Sequence, residues 1–359
     1  MNRRIGLILG GTAIVVFLAL LLIGPGTEKQ QPDQIIWKKE FEKIEYIPAG
    51  ANRKVTLSMV RHGSLTRDDF TVEAPGQYQS RRGGFNVKNT FSDFAKPRNM
   101  GQYKIKPEQE TELGLSPECA EVLLYPTLNS EPIRLQIGKK NSAGNSFVRI
   151  DPESKKDEVV LIPAYLFDRF TRPIKEFREQ RLLVYPTDTY TQELSVKVKT
   201  PAGEKSYSMR QVREKNKEGV EMPRWLDSSG QEIPVNQANG LENVVREVQI
   251  LEYRDTIGVG NADELWNRAG EDTTVIKAKI KGQDETIIRL RSRYAVQAGT
   301  DSAIPVQSSI EPGTDFVRAT IEKDILDRME TIFEALERKK AEANKPKPVQ
   351  PEIREIAPK

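Results

Sequence analysis

The feature that most constrains this chain is a run near its amino terminus. Ile5 to Ile23, IGLILGGTAIVVFLALLLI, is 19 residues without a charge. At ~1.5 Å per residue a helix of that length covers ~28 Å, close to the hydrocarbon thickness of a bilayer. Gly24-Pro25-Gly26 then stops the helix. Arg3 and Arg4 lie on the short side, and the positive-inside rule keeps residues 1–4 cytoplasmic. The expectation is a single-pass membrane anchor, with the body outside the cytoplasm. A cleaved signal peptide is the rival, but its apolar region spans ~7–15 residues and ends at a small-x-small site. Here the run is longer and Pro25 crowds the junction. Gly6 and Gly10 form a GxxxG pair, which offers a homodimer contact through the anchor. Ordinary glycine in a membrane helix is the plainer reading.

The rest of the chain is long enough for about two domains. The net charge is +3, and Arg3 and Arg4 supply most of it, so the body is near neutral. That argues against a nucleic-acid partner bound through bulk positive charge. One His and one Cys remove most nucleophile–base pairs and nearly all zinc sites, so no cofactor or metal is expected. Cys119 has no partner for an internal disulfide; beside Glu118 and Glu121 it reads as a small buried hydrophobe.

The body reads as two tandem, divergent α+β units of mainly antiparallel sheet, 35–184 and 185–343. A linker spans 24–34, and a proline-rich tail, 344–359, reads as disordered. In the first half Val87, Phe91 and Phe94 have helical spacing; an extended piece and a brief acidic helix from Pro107 to Gly114 come next. In the second half Leu241, Val244, Val245 and Val248 have that spacing, followed by an extended piece through Ile257 and a helix from Ala262 to Arg268. The alternating strand Ile133–Ile137 is matched to Ile276–Ile280, and Phe147-Val148-Arg149 to Phe316-Val317-Arg318. Each unit closes on a helix, Tyr165 to Phe170 and Ile321 to Leu336. In the latter Ile321, Ile325, Leu326, Met329, Ile332, Phe333 and Leu336 form one apolar stripe. Buried within it, Phe333 truncated to alanine is expected to cost ~3–5 kcal/mol.

The residues that carry chemistry have structural readings beside the functional ones. Gly258-Val259-Gly260 begins a dinucleotide fingerprint but Asp263 replaces its third glycine, which favours a strand-to-helix turn. His62 beside Ser64 reads as an exposed hairpin turn rather than a base with its nucleophile. Glu108, Glu110 and Glu112 suit a helix start better than acid–base work, as do Asp263 and Glu264. Arg289, Arg291 and Arg293 alternate, which on a strand makes a basic stripe; Arg81 and Arg82 add a second basic spot in a loop. Together these five arginines are the candidate interaction surface, toward anionic lipid or an acidic partner.

Tyr103-Lys104-Ile105, Glu112-Leu113-Gly114-Leu115, Ile133 to Gly138, Phe147-Val148-Arg149, Val159 to Pro163 and Phe177 to Leu183 succeed one another in order. This YxI…LGL…IG…FRxxxLL progression, over Gly101 to Leu183, resembles a bacterial family known as domain of unknown function 4340. The second half resembles it weakly. Phe70-Thr71-Val72 stands where a Trp-rich strand is usual, and Trp225 holds that place in the second half. The resemblance implies one amino-terminal membrane helix and an association with ABC-type export systems of the gliding-motility group. It supplies no catalytic residue.

The expected function is therefore a non-enzymatic, membrane-anchored accessory or scaffold subunit of an ABC-type transport or envelope complex, with integral-membrane partners. A solute- or glycan-binding module using a cleft between the two units is the alternative. An acid-based envelope hydrolase is the third reading, and it requires two carboxylates ~5–10 Å apart in a cleft.

Overall fold

The computed structural model describes residues 34–51, 53–62, 69–75, 80–185, 189–293, 295–298 and 301–343. The expected anchor, Ile5 to Ile23, and the tail 344–359 lie outside them, as does all of the linker except Gln34. Among the described residues no helix is long and apolar enough to cross a membrane. The chain divides into two compact units between Glu179 and Gln180, ahead of the expected boundary after 184. The reason is packing: Leu182 and Leu183 are buried in the core of the second unit, whereas Phe177 belongs to that of the first.

The first unit contains, in order, β1 (Gln34–Ile35), β2 (Lys43–Ile47), β3 (Leu57–Arg61), β4 (Phe70–Glu73), β5 (Arg81–Arg82), α1 (Phe85–Ala95), β6 (Arg98–Asn99), β7 (Gly101–Lys104), α2 (Gln109–Glu112), β8 (Ala120–Tyr125), β9 (Ile133–Lys140), β10 (Asn145–Ile150), β11 (Glu158–Pro163) and α3 (Tyr165–Asp168). The last continues into a 3-10 turn, Arg169–Thr171. Nine strands form one antiparallel sheet in the order β5-β4-β3-β2-β8-β9-β10-β11-β7, and β1 pairs with β6. Helix α1 forms because Val87, Phe91 and Phe94 recur on one face and bury against the sheet. Phe94 meets Phe167 edge-on with centroids 5.9 Å apart, and Tyr46 stacks on Phe170 at 4.9 Å.

The second unit contains β12 (Thr191–Thr200), β13 (Gly203–Lys215), β14 (Glu221–Asp227), β15 (Glu232–Ile233), α4 (Val235–Arg246), β16 (Ile250–Glu252), α5 (Arg254–Ile257), α6 (Val259–Arg268), β17 (Thr274–Ile280), β18 (Glu285–Leu290), β19 (Val296–Ala298), β20 (Asp301–Ser308), β21 (Thr314–Arg318) and α7 (Ile321–Ala343). Its sheet runs β15-β14-β13-β12-β17-β18-β20-β21-β16, again antiparallel, with β19 beside β20. Strand β12 alternates cleanly: Leu194, Val196 and Val198 point into the core while Glu193, Lys197 and Lys199 face solvent. Both units are thus α+β with antiparallel sheets.

Several sequence expectations shift. Arg254 to Ile257 is a helical turn rather than part of an extended piece, and Gly258, at φ 94°, joins two helices instead of a strand and a helix. Counted from β5 and β15, β9 is sixth in its sheet whereas β17 is fifth, so Ile133–Ile137 and Ile276–Ile280 do not hold equivalent places. Phe147-Val148-Arg149 lies on β10, seventh, and Phe316-Val317-Arg318 on β21, eighth. In α7 the residues Ile321, Ile325, Met329, Ile332 and Leu336 are buried, but Phe333 is 39 % exposed.

The structure gives the family-like motifs a physical basis. Gly114, at φ 74°, ends the α2 turn and drops Leu115 into the interior. The Leu113 carbonyl then accepts from the Lys139 N–H at 2.7 Å. A Cβ on Gly138 would stand 2.3 Å from that same carbonyl oxygen, so LGL and IG are the two halves of one close contact. Likewise Gly84 donates to the Phe177 carbonyl and Glu179 to that of Arg82, which straps the Phe177-Arg178 part of FRxxxLL onto β5.

Candidate binding clefts and the buried charge network

The arginines singled out from the sequence are not presented as open basic stripes. Strand β18 ends at Leu290, so only Arg289 is on it; its guanidinium lies 3.6 Å from Asp272. Arg291 is pinned in place. Its Nε donates to Asp272 at 3.0 Å, its Nη1 donates to the Trp266 carbonyl at 2.9 Å, and its guanidinium stacks 3.8 Å above the Trp266 ring. Arg293 is exposed in the turn after the strand. Arg81 and Arg82 form edge strand β5 rather than a loop, and Arg81 is buried. The alternation of Arg289, Arg291 and Arg293 is real as sequence, but the strand stops too early to present it.

The other singled-out groups are similarly engaged. His62 is exposed after β3, with Nε2 3.0 Å from Thr71 Oγ1, and Ser64 lies outside the described residues. Cys119 is buried; desolvation pushes its thiol up, and the neighbouring Glu121 carboxylate pushes it further. Glu264 faces Arg268 one helical turn away at 3.5 Å. Glu110 pairs with Arg149 at 2.8 Å, and the Arg149 side chain is 6 % exposed.

That last pair opens onto a network that the sequence did not announce. Registers Glu121↔Gln136 and Arg149↔Gln136 place three polar residues in one row across β8, β9 and β10. Gln136 accepts from Arg149 Nη1 at 3.4 Å and donates to Glu121 Oε1 at 3.3 Å. Glu121, whose side chain is 3 % exposed, also binds Arg53 at 2.7 Å and Arg134 at 3.1 Å. Two guanidinium groups and an amide thus hold the Glu121 carboxylate in one place. In the second unit Tyr185 donates to Thr191 Oγ1 at 2.7 Å, and Thr191 donates to the buried Glu242 at 2.5 Å. Burial pushes the Tyr185 phenol up to about 12, and the Glu242 charge adds to the rise.

Each unit has a recess beside its helices. In the first unit, Asn86, Asn89 and Asp93 on α1 face Tyr165, Arg169 and Arg172 across a cleft of about 320 Å³ floored by Phe177. In the second, the carboxyl end of α4, β16 and the end of β21 border the first turns of α7 in a groove of about 740 Å³. Val244, Val248, Leu251 and Ile321 give it apolar walls, and Glu247, Asp327 and Arg328 charged ones. Among the described residues no three His, Cys, Asp or Glu side chains are grouped to hold a metal ion.

Comparison with known proteins gives one match. The family model described as a domain of unknown function, DUF4340, matches residues 86–269, just over half of the chain. It runs from the second residue of α1 to the residue after α6. No curated protein and no solved structure matches the chain.

Proposed function

The chain belongs to the DUF4340 family, and from that premise we propose that it is a non-enzymatic accessory or scaffold subunit, anchored in the bacterial inner membrane by Ile5–Ile23 with its body outside the cytoplasm. Its partners on this reading are the integral-membrane proteins of an ABC-type transport or envelope complex. We read the two units as divergent copies of one sheet-plus-helix fold, because their nine-strand orders correspond strand for strand. A helix comes after β5, β7 and β11 in the first, and after their counterparts β15, β16 and β21 in the second.

One observation supports the non-catalytic reading: three of the acids, Glu110, Glu121 and Glu264, are committed to structural partners. Glu110 neutralises a buried arginine, Glu121 is held between two, and Glu264 closes a helix-surface pair. A general acid must be within reach of a substrate; a carboxylate whose oxygens are taken up by guanidinium groups is occupied in holding the fold instead.

The test has two arms. Fusions at Lys359 should be active with a phosphatase that works only outside the cytoplasm and dark with a fluorophore that matures only inside it. The whole chain, purified from solubilised membranes, should bring transporter membrane subunits with it in fixed ratio. The opposite reporter pattern, or turnover of envelope glycan by the purified chain, would overturn the proposal.

A further inference from the structure

We propose that the cleft between α1 and the α3 segment of the first unit is a binding site for an acidic sugar residue. This goes beyond the accessory role and stands whether or not that role is correct. One wall is built from helical periodicity: Asn86, Asn89 and Asp93 recur at i, i+3 and i+7 on α1. Opposite stand Tyr165 on α3, Arg169 in the 3-10 turn that continues it and Arg172 just beyond that turn. About 320 Å³ lies at the lower end of small-ligand sites.

The chemistry of the lining selects the ligand class. Planar amide, carboxylate and guanidinium groups bind adjacent hydroxyls in pairs, donating or accepting through two atoms at once. The cleft is lined by two amides, one carboxylate and two guanidinium groups, of which the Asn86 Nδ2 already donates to the Glu176 carbonyl at 2.8 Å. Tyr165 is 59 % exposed and stands at the wall, a ring free to lie against the C–H face of a pyranose. Phe85, beside Asn86, is 72 % exposed and adds a second uncovered aromatic at the same helix end.

The charge arrangement points to an acidic sugar over a neutral one. Arg169 is anchored to Asp93 at 2.5 Å and to Thr90 Oγ1 at 3.1 Å, yet its buried Nε has no hydrogen-bond acceptor among the described residues. Arg172 is half exposed and touches Glu176 only at 3.5 Å, a loose surface pair that a ligand carboxylate can replace. A recess at the junction of α4 and α7 in the second unit has three acids, Glu247, Asp324 and Asp327, against two arginines, Arg318 and Arg328, and has no aromatic wall. Of the two recesses, the one in the first unit therefore carries the sugar-binding chemistry.

The experiment titrates the whole chain, in detergent, with trigalacturonic acid and with maltotriose, measured by calorimetry and by saturation-transfer NMR. The acidic trisaccharide should bind saturably and at least tenfold more tightly. Y165A should weaken it tenfold or more while Y165W retains it, and R172Q should erase the preference for the acidic sugar. Both changed side chains are exposed, so the fold should survive, and an unchanged thermal transition checks that. Absence of saturable binding, equal affinity for the two sugars, or binding indifferent to Y165A and R172Q would each overturn the assignment.

Discussion

Two adjacent residues of α7 offer a sharp test of how the second unit is held together. Ile332 is fully buried in its core, whereas Phe333 is 39 % exposed and meets Tyr207 edge-on with ring centroids 5.0 Å apart. Ile332→Ala removes three carbons from a site enclosed by the sheet and α4, where the walls collapse only partly. Transfer and cavity costs together put this at ~3–4 kcal/mol. For Phe333 the burial is about three fifths complete, which scales a full value of ~1.5–3 kcal/mol to ~1–2. The edge contact adds ~0.5 kcal/mol and no closed cavity forms, giving ~1.5–2.5 in total. Phe333→Ala thus costs less than the ~3–5 expected when the whole stripe is taken as buried. At ~2–4 °C per kcal/mol for a unit of this size, calorimetry of the whole chain should show the larger drop in melting temperature for Ile332→Ala. A second readout separates the two. Burial pushes the Tyr207 phenol well above its usual range, with Asp227 adding to the rise. Phe333→Ala uncovers that ring, so its alkaline absorbance change should move to lower pH, whereas Ile332→Ala should leave it in place. Equal destabilisation, or a larger loss for Phe333→Ala with no shift of the tyrosine titration, would refute the reasoning.

Three further outcomes rest on the same kind of geometry. Gly138→Ala should destabilise the first unit by ~1–3 kcal/mol, read as a lower melting temperature, because a Cβ there meets the Leu113 carbonyl; Gly144→Ala, where nothing stands within 4 Å, should cost only the strain of its φ of 78°. Glu121→Ala should cost ~3 kcal/mol in denaturant unfolding, the low end for a broken buried pair, because Arg53 and Arg134 retain some solvent. The Tyr185 phenol is raised to about 12 in the fold against 10 unfolded, so its contribution is complete below pH 10 and is lost as pH rises toward 12; Tyr185→Phe should flatten the pH dependence of stability in that window.

How far the sequence could be read depended on how many faces of each strand are covered. Strand β17 buries Ile276, Ala278 and Ile280 and exposes Lys277 and Lys279, so its period of two is plain. Strand β8 is its counterpart in the strand order, but Glu121, Val122 and Leu124 are all buried. With its outer face closed by the Arg53–Glu121–Gln136–Arg149 network, β8 shows no alternation. The apolar–polar alternation of Ile133 to Ile137 lies on the neighbouring β9, and matching it to β17 sets the sixth strand of one sheet against the fifth of the other. The two Phe-Val-Arg segments reinforced that mismatch, although they occupy different strands. Helices suffered less: Val87, Phe91 and Phe94 bury as their spacing predicts, because each packs a single face.

The candidate site was less legible for a related reason. Nothing local marks Glu121, Gln136 and Arg149 as neighbours; only the strand registers bring them into one row. Arg289, Arg291 and Arg293 present the converse, a pattern visible in sequence that the end of β18 at Leu290 and the stacking of Arg291 on Trp266 take apart. The cleft beside Tyr165 lies between these cases. The α1 wall has helical spacing, but what faces it is set by the sheet order that carries α1 and α3 onto one face. A function placed across two elements is written in their registers and packing, and a single sequence shows only the periodicity of each element.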